Sequence, residues 1–411
     1  MYKDAMEKFK AFGIDTEKAI STLSSVPVSI HCWQADDVMG FEKNRGALSG
    51  GIQTTGDYPG RARNFEEMKE DLDYALSLIP GKKRINIHAS YKTSDSTHDR
   101  NELDAEDFRL WIEYARARNL ALDFNPTFFS HPMVKDNLTL SSPVEEVRRF
   151  WIEHGKRCRK IASVFAKELG SYSVCNLWIP DGYKEIPADR IGPRKRLKES
   201  LDEIYSEPLE GVIDAVESKV FGIGLESFTV GSNEFYLSYA SRHKGVYQLL
   251  DNGHYHPTEM VSEKISALLT FFDKLPLHVT RPVRWDSDHV VRLDDEIIEI
   301  AKEIVRCNAL ERVLIALDYF DASVNRIAAW VVGVRSTQKA LLLALLEPSK
   351  ELKEAEEKAD WTKMLALSEE VKMLPYSDVW EEYLKREGLE SGFSWYESIM
   401  EYEKNVLSKR V

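Results

Sequence analysis

The densest run of carboxylates and imidazoles in the chain lies between Leu249 and Asp288, flanked by Glu217-Ser218-Lys219 on one side and Asp318 on the other. It contains Asp251, His254 and His256, then His278, then Asp286, Asp288 and His289. Oxygen ligands supply charge and neutral nitrogens supply geometry, which is what a hard or borderline divalent cation requires. Glu217, Asp251, His278 and Asp318 each close a short apolar run and could converge on one ion. His254, with Asp286 and Asp288, could converge on a second. In an extended segment Asp286 and Asp288 point the same way, because the side-chain period is two. A lone acid beside a strand is more often a helix cap or an ion-pair partner, and Asp294-Asp295 read as a cap. It is the set of seven, rather than any one member, that points to a two-metal site.

Lys219 stands two residues beyond Glu217 and would share its side of a strand. There it is a candidate donor to a substrate oxygen on which negative charge develops; the alternative is an internal ion pair with Glu217. Lys219 is therefore a candidate catalytic residue; Asp318 and Asp286, as ligand candidates on the same rim, are the others. His88 and His31 close other strands and could bind hydroxyls of a polyol-like substrate. Trp33, Phe128, Phe129 and Trp178 could line an apolar wall, with His88, Trp178 and Trp33 the candidate substrate contacts. The pair His254 and His256 forms an HxH, a ligand pair that barrel hydrolases carry on their first strand. The first strand here ends instead in His31-Cys32-Trp33, which weighs against a hydrolase, and His256 reads as a structural histidine.

The elements that must position these residues alternate. Apolar runs near residues 28, 86, 121, 175, 215, 249, 277 and 315 read as strands, with amphipathic helical segments between them. Eight such units predict an α/β fold, a (β/α)8 TIM barrel. Catalytic residues of such barrels sit at the strands' C-terminal ends, where His31, His88, Asp123, Glu217, Asp251, His278 and Asp318 are expected. The division expected is an N-terminal helical segment over 1–25, the barrel over 26–335, and a C-terminal helical extension over 336–411 engaged in subunit contacts. Residues 49–63 carry four glycines and a proline. They read as a loop, a candidate flap over the site, and do not match the P-loop pattern.

Composition narrows the partners. A net charge of -13 argues against nucleic acid, whose binding relies on Lys and Arg displacing counterions. The four cysteines lack CxxC spacing, so neither a disulfide framework nor a zinc knuckle is indicated, and a cytoplasmic location is expected. No run of about 18 apolar residues suggests a membrane span. The residues alone thus imply a two-metal barrel enzyme acting on a polyol-like substrate. A metal-dependent hydrolase and a metal-stabilised sugar-binding scaffold are the alternatives.

The strings Ala215–Lys219, Phe228–Phe235, Asp251–Glu259, Leu277–Val290 and Leu317–Ser323, with Gly50–Gly56 and Trp395–Ser408, resemble the L-rhamnose isomerase family. The likeness spans nearly the whole chain. It implies a xylose-isomerase-like barrel, a homotetramer, and interconversion of L-rhamnose and L-rhamnulose by a metal-assisted hydride shift between C2 and C1, opening rhamnose catabolism. It also implies Mn2+ as the catalytic ion, held by His254, Asp286 and Asp288. A second divalent ion, Mn2+ or Zn2+, would be held by Glu217, Asp251, His278 and Asp318.

Overall fold

The computed structural model describes residues 1–42, 52, 54, 56–219, 226–283 and 285–410, with 285–288 described by backbone alone. Eight parallel strands close into a barrel: β1 (Val28–His31), β2 (Lys83–His88), β3 (Ala121–Asn125), β4 (Ser173–Leu177), β5 (Val212–Glu217), β6 (Val246–Asp251), β7 (Leu275–Val279) and β8 (Val313–Leu317). Each pairs with its successor, and β8 returns to β1 through Ser29 and Ala316. These runs are rich in Val, Ile and Leu because a parallel sheet inside a ring of helices is buried on both faces. The barrel predicted from the sequence is the one observed.

Register decides which polar groups meet at the rim. Glu217 stands beside Leu249, so Asp251, two residues further along β6, projects on the same side one step higher. Asp251 in turn stands level with His278, and His278 with Ala316, which puts Asp318 two residues above on β8.

Asp123 departs from expectation. β3 continues to Asn125, and Asp123 sits in the barrel floor, where it accepts from Ser29 Oγ (2.6 Å), Arg84 Nε (2.9 Å) and Nη2 (2.7 Å), and Val174 N (2.9 Å). The partner that pulls it inward lies on the neighbouring strand.

The crossover helices begin where the sequence offers caps. Asn64 accepts from Glu67 N ahead of helix Phe65–Ser77, and Asp294 accepts from Ile297 N ahead of helix Asp295–Arg306. Asp294→Ala is expected to lower stability by about 1 kcal/mol, measured by urea unfolding, with turnover unchanged, as befits a cap and not a ligand. Helix Ile191–Ile204 carries Pro193 in its first turn, where no intrahelical donor is needed. Asp189 meets the first amides there, accepting from Ile191 N and Gly192 N. The helical stretch from Ser349 divides at Ala359, whose φ of 53° is left-handed.

After β8 the helix Arg326–Leu345 packs on the barrel's outer layer, and Trp330 Nε1 donates to His31 O at 2.8 Å. The helices beyond it cover the N-terminal ones and helix Phe65–Ser77: Phe9 meets Tyr376 edge to face, Arg386 pairs with Glu17 at 2.7 Å, and Tyr402 stacks on Tyr74. No single helix among the described residues is long and apolar enough to cross a membrane.

Candidate metal centre

At the C-terminal rim, Glu217, Asp251, His278 and Asp318 come together from the ends of β5, β6, β7 and β8, with one ligand atom of each within 4.8 Å of the others. His278 Nδ1 lies 3.1 Å from Asp318 Oδ2, 3.6 Å from Glu217 Oε2 and 3.8 Å from Asp251 Oδ2. His254, in the loop after β6, brings Nδ1 to 3.1 Å from Glu217 Oε1. The side chains of Glu217, Asp251 and His278 are at most 3% exposed, whereas Asp318 is 20% exposed. His278 Nδ1 and Glu217 Oε1 are buried without a hydrogen bond in alignment. Three carboxyl groups and two imidazoles that converge at ion-pair distance are donors that one cation could join.

Electrostatics fit the same picture. Burial, reinforced by the Glu217 and Asp318 charges, raises the Asp251 carboxyl well above the usual range. Burial also opposes charge on His278, but Glu217 and Asp318 outweigh it and hold that imidazole well above its ordinary value. For Glu217 burial is outweighed by His278 and His254, so its carboxyl is held low. Three carboxyl groups thus share one site with imidazolium as their nearest compensating charge, a task better matched to a divalent ion.

Two neighbours orient these ligands. Asn176 Nδ2, on β4, donates to Glu217 Oε2, and Trp33 Nε1 donates to Asp318 Oδ1 at 3.1 Å. Asn176 was missed from the sequence; its place next to last on β4 was the available signal. The Asp286 and Asp288 side chains lie outside the described residues. Their backbone forms the strand Trp285–His289, which folds back on Arg281–Val283 beyond β7. Residues 49–51, 53 and 55 of the candidate flap also lie outside the described residues, as do 43–48 before it. His256 is exposed, and its Nδ1 lies 2.8 Å from Thr258 Oγ1.

Lys219 is buried, and its Nζ donates to Pro180 O at 2.8 Å and to Glu226 Oε1. The ion pair weighed from the sequence was with Glu217; the structure supplies Glu226 instead. β5 has ended at Glu217, so the two-residue alternation no longer governs position 219.

Opposite the carboxylates, aromatic rings follow one another around β1 to β5. Trp33 meets His88 at 4.6 Å between centroids, His88 meets Phe129 at 5.5 Å, Phe129 meets Trp178 at 5.9 Å, and Lys219 Nζ lies 5.8 Å from the Trp178 ring. Phe128 does not join them; it is buried against Trp151 and His154. Burial lowers His88 to about 4 and His31 to about 3, so both rings are neutral near pH 7. His88 Nδ1 lies 3.2 Å from Thr127 Oγ1, and His31 packs between Trp33 and Tyr319.

The family model described as L-rhamnose isomerase (RhaA) matches residues 1–410. The chain belongs to the L-rhamnose isomerase family. It is 56% identical over 412 residues to L-rhamnose isomerase of Mannheimia succiniciproducens, covering 100% of this chain and 98% of that protein. It is 55% identical over 408 residues to L-rhamnose isomerase of Salmonella gallinarum, covering 99% and 97%. Among solved structures, L-ribulose 3-epimerase aligns with 82% of this chain and 97% of its own at 11% identity and a TM-score of 0.49.

Proposed function

We propose that this member of the L-rhamnose isomerase family interconverts L-rhamnose and L-rhamnulose at the rim site. Glu217, Asp251, His278 and Asp318 hold one divalent ion, and His254, Asp286 and Asp288 hold the other. The observation that carries the metal reading is the quartet within 4.8 Å on four successive strand ends, three of its members buried. Family membership supports the sugar. Mixed carboxylate and imidazole donors suit Mn2+ at the catalytic position and Mn2+ or Zn2+ at the second. A bound ion of this kind supplies Lewis-acid polarisation of adjacent sugar oxygens.

The chain's own groups do the rest. The reaction moves hydrogen with its electron pair from C2 to C1, while the O2 proton passes to O1. Asp318, the most exposed of the four ligands and fixed by Trp33, takes the proton from O2 and returns it to O1. Lys219 donates to O1 as charge develops there. Trp33, Phe129 and Trp178 pack the sugar's methyl end and exclude water, and His88, neutral, binds a hydroxyl.

The test uses metal-stripped protein and L-rhamnose deuterated at C2. Ketose is expected only after Mn2+ is added, with deuterium carried into C1. Complete washout into solvent would replace the hydride shift with an enediol path, and absence of ketose from any aldose would remove the isomerase reading. Trp33→Phe keeps the ring but frees Asp318; Mn2+ affinity by calorimetry is expected to fall about 10–100-fold.

We also propose assembly as a homotetramer through the C-terminal helices. Helix Trp361–Glu370 buries no residue of its own, and Trp361, Leu365 and Met373 are exposed. Sedimentation velocity is expected to show four chains per particle. Free cysteines at positions 32, 158, 175 and 307 support a cytoplasmic location.

A further inference from the structure

His88 closes β2, and strand register turns it into the mouth of the barrel. It stands level with Asn125 on β3, and through Phe124 and Cys175 that residue is level with Asn176 on β4 and Ala215 on β5. Glu217, two residues beyond Ala215, therefore shares the inner face with His88. The Trp33 ring, whose Nε1 donates to Asp318 Oδ1, lies 4.6 Å from the His88 ring, and Phe129 lies 5.5 Å from it. His88 is only partly buried, whereas His31 on β1 is fully buried. Its Nδ1 meets Thr127 Oγ1 at 3.2 Å. Nε2, across the ring, points away from Thr127 and has no hydrogen-bond partner among the described residues.

Thr127 decides which nitrogen carries the proton. A hydroxyl has one hydrogen to donate and two lone pairs with which to accept. Ser90 N donates to Thr127 Oγ1 at 3.1 Å, which uses one lone pair. The hydroxyl hydrogen needs an acceptor within the protein, because Thr127 is 1% exposed. Of the two groups at Oγ1 the Ser90 amide only donates, and His88 Nδ1 is left as the acceptor. A proton on Nδ1 would give Oγ1 two donors and leave its own hydrogen buried without a partner. Burial lowers His88 to about 4, so the ring is neutral near pH 7 and its one N–H is at Nε2. The backbone behind the hydroxyl is fixed. Thr127 bridges to Trp178, and Arg100 Nη1 donates at 2.6 Å to both Thr127 O and Phe129 O. Glu42 in turn accepts from Arg100 Nε at 3.0 Å and Nη2 at 2.7 Å.

We propose that Thr127 is a positioning residue for the isomerisation, holding His88 as the Nε2–H tautomer so that the ring donates to a sugar oxygen in the barrel mouth. This rests on the hydroxyl contact given to His88 under the proposed function. It adds the direction of that bond: His88 is the donor and the sugar oxygen the acceptor. Thr127 touches neither ion nor sugar in this role.

Neutron diffraction from crystals of the full-length protein exchanged into D2O reads the tautomer directly. Deuterium is expected on His88 Nε2 and on Thr127 Oγ1, the latter aimed at Nδ1. Deuterium on Nδ1 would overturn the proposal and leave the isomerase reading intact. Kinetics of the Mn2+-loaded protein give a second arm, with bound metal and Tm measured on the same samples. Thr127→Val keeps the shape and removes the hydroxyl; kcat/KM for L-rhamnose is expected to fall roughly 10-fold, the scale of one neutral hydrogen bond, mostly through KM. Thr127→Ser restores the hydroxyl and is expected to recover kcat/KM to within about threefold of the parent. Equal losses in the two variants would reduce Thr127 to packing and overturn the proposal. In a His88→Phe background Thr127→Val is expected to add no further loss, and losses that multiply would overturn the coupling. Unchanged kcat/KM in His88→Phe would remove the sugar contact of His88 and, with it, the role of Thr127. Should Thr127→Val not fold, the neutron map of the parent decides alone.

Discussion

Glu217→Gln is expected to abolish Mn2+ retention at the quartet and lower kcat by at least about 1000-fold, as several kcal/mol of charge stabilisation at the reacting oxygens are lost. Glu217 is central to the cluster: Oε1 faces His254 at 3.1 Å, Oε2 faces His278 at 3.6 Å, and Asn176 donates to Oε2 from behind. An amide has nearly the same shape but carries no charge. Its NH2 would also face Asn176 Nδ2 in one orientation or His254 in the other, setting donor against donor. The readouts are metal content, the rise in Tm on adding Mn2+, and turnover. The parent protein is expected to gain thermal stability with Mn2+ and the variant not, because an ion that binds only the folded state stabilises in proportion to its affinity. A variant that keeps both metal and kcat within tenfold would show that the quartet is not the metal centre.

In the metal-free protein the same quartet predicts the pH dependence of binding. Asp251 and His278 both have raised values, so both tend to hold their protons where a free Asp or His would release them. Ligands must lose those protons to coordinate. Mn2+ affinity is therefore expected to rise with pH and binding to release protons, seen as a buffer-dependent heat in calorimetry. The sign for folding runs the other way. A raised folded-state value contributes stability that is fully present below the unfolded value and lost as pH rises through the folded one. Removing metal should thus cost the fold most on the alkaline side.

Much of the barrel was legible because a buried parallel strand leaves a compact trace: a short apolar run that stops at a polar residue. Such stops located Glu217, Asp251, His278 and Asp318, and the parallel arrangement alone then places all four on one rim. What local pattern could not show was partner choice across the fold. The sequence spacing of Lys219 from Glu217 suggested a shared face, yet the ammonium turns to Glu226, brought back by a two-residue ribbon. Phe128 and Phe129 are adjacent and of one chemistry; only packing sends the first to Trp151 and leaves the second beside His88 and Trp178. The helix beginning at Ile191 was hidden by Pro193, which marks a stop inside a helix but is tolerated in its first turn.

Asp123→Ala is expected to cost about 3–5 kcal/mol of stability while leaving kcat, measured well below the melting range, within about twofold of the parent. From its sequence position Asp123 resembles the rim acids, since it too ends a run of apolar residues. In the structure it is the anion of a buried bidentate pair: both oxygens accept from Arg84, at 2.9 and 2.7 Å, with the two side chains only 4% and 6% exposed. Removing the carboxylate leaves a guanidinium in the barrel floor with Ser171 Oγ and Tyr172 O as its remaining acceptors, and it takes an acceptor from Ser29 Oγ and Val174 N as well. The cost is that of an uncompensated buried charge, not the net worth of the pair. Replacing both partners by apolar residues of similar volume, Arg84→Met with Asp123→Leu, should therefore recover much of the loss. If Asp123→Ala instead melted like the parent and lost turnover on the scale of Glu217→Gln, Asp123 would belong to the rim chemistry and not to the floor.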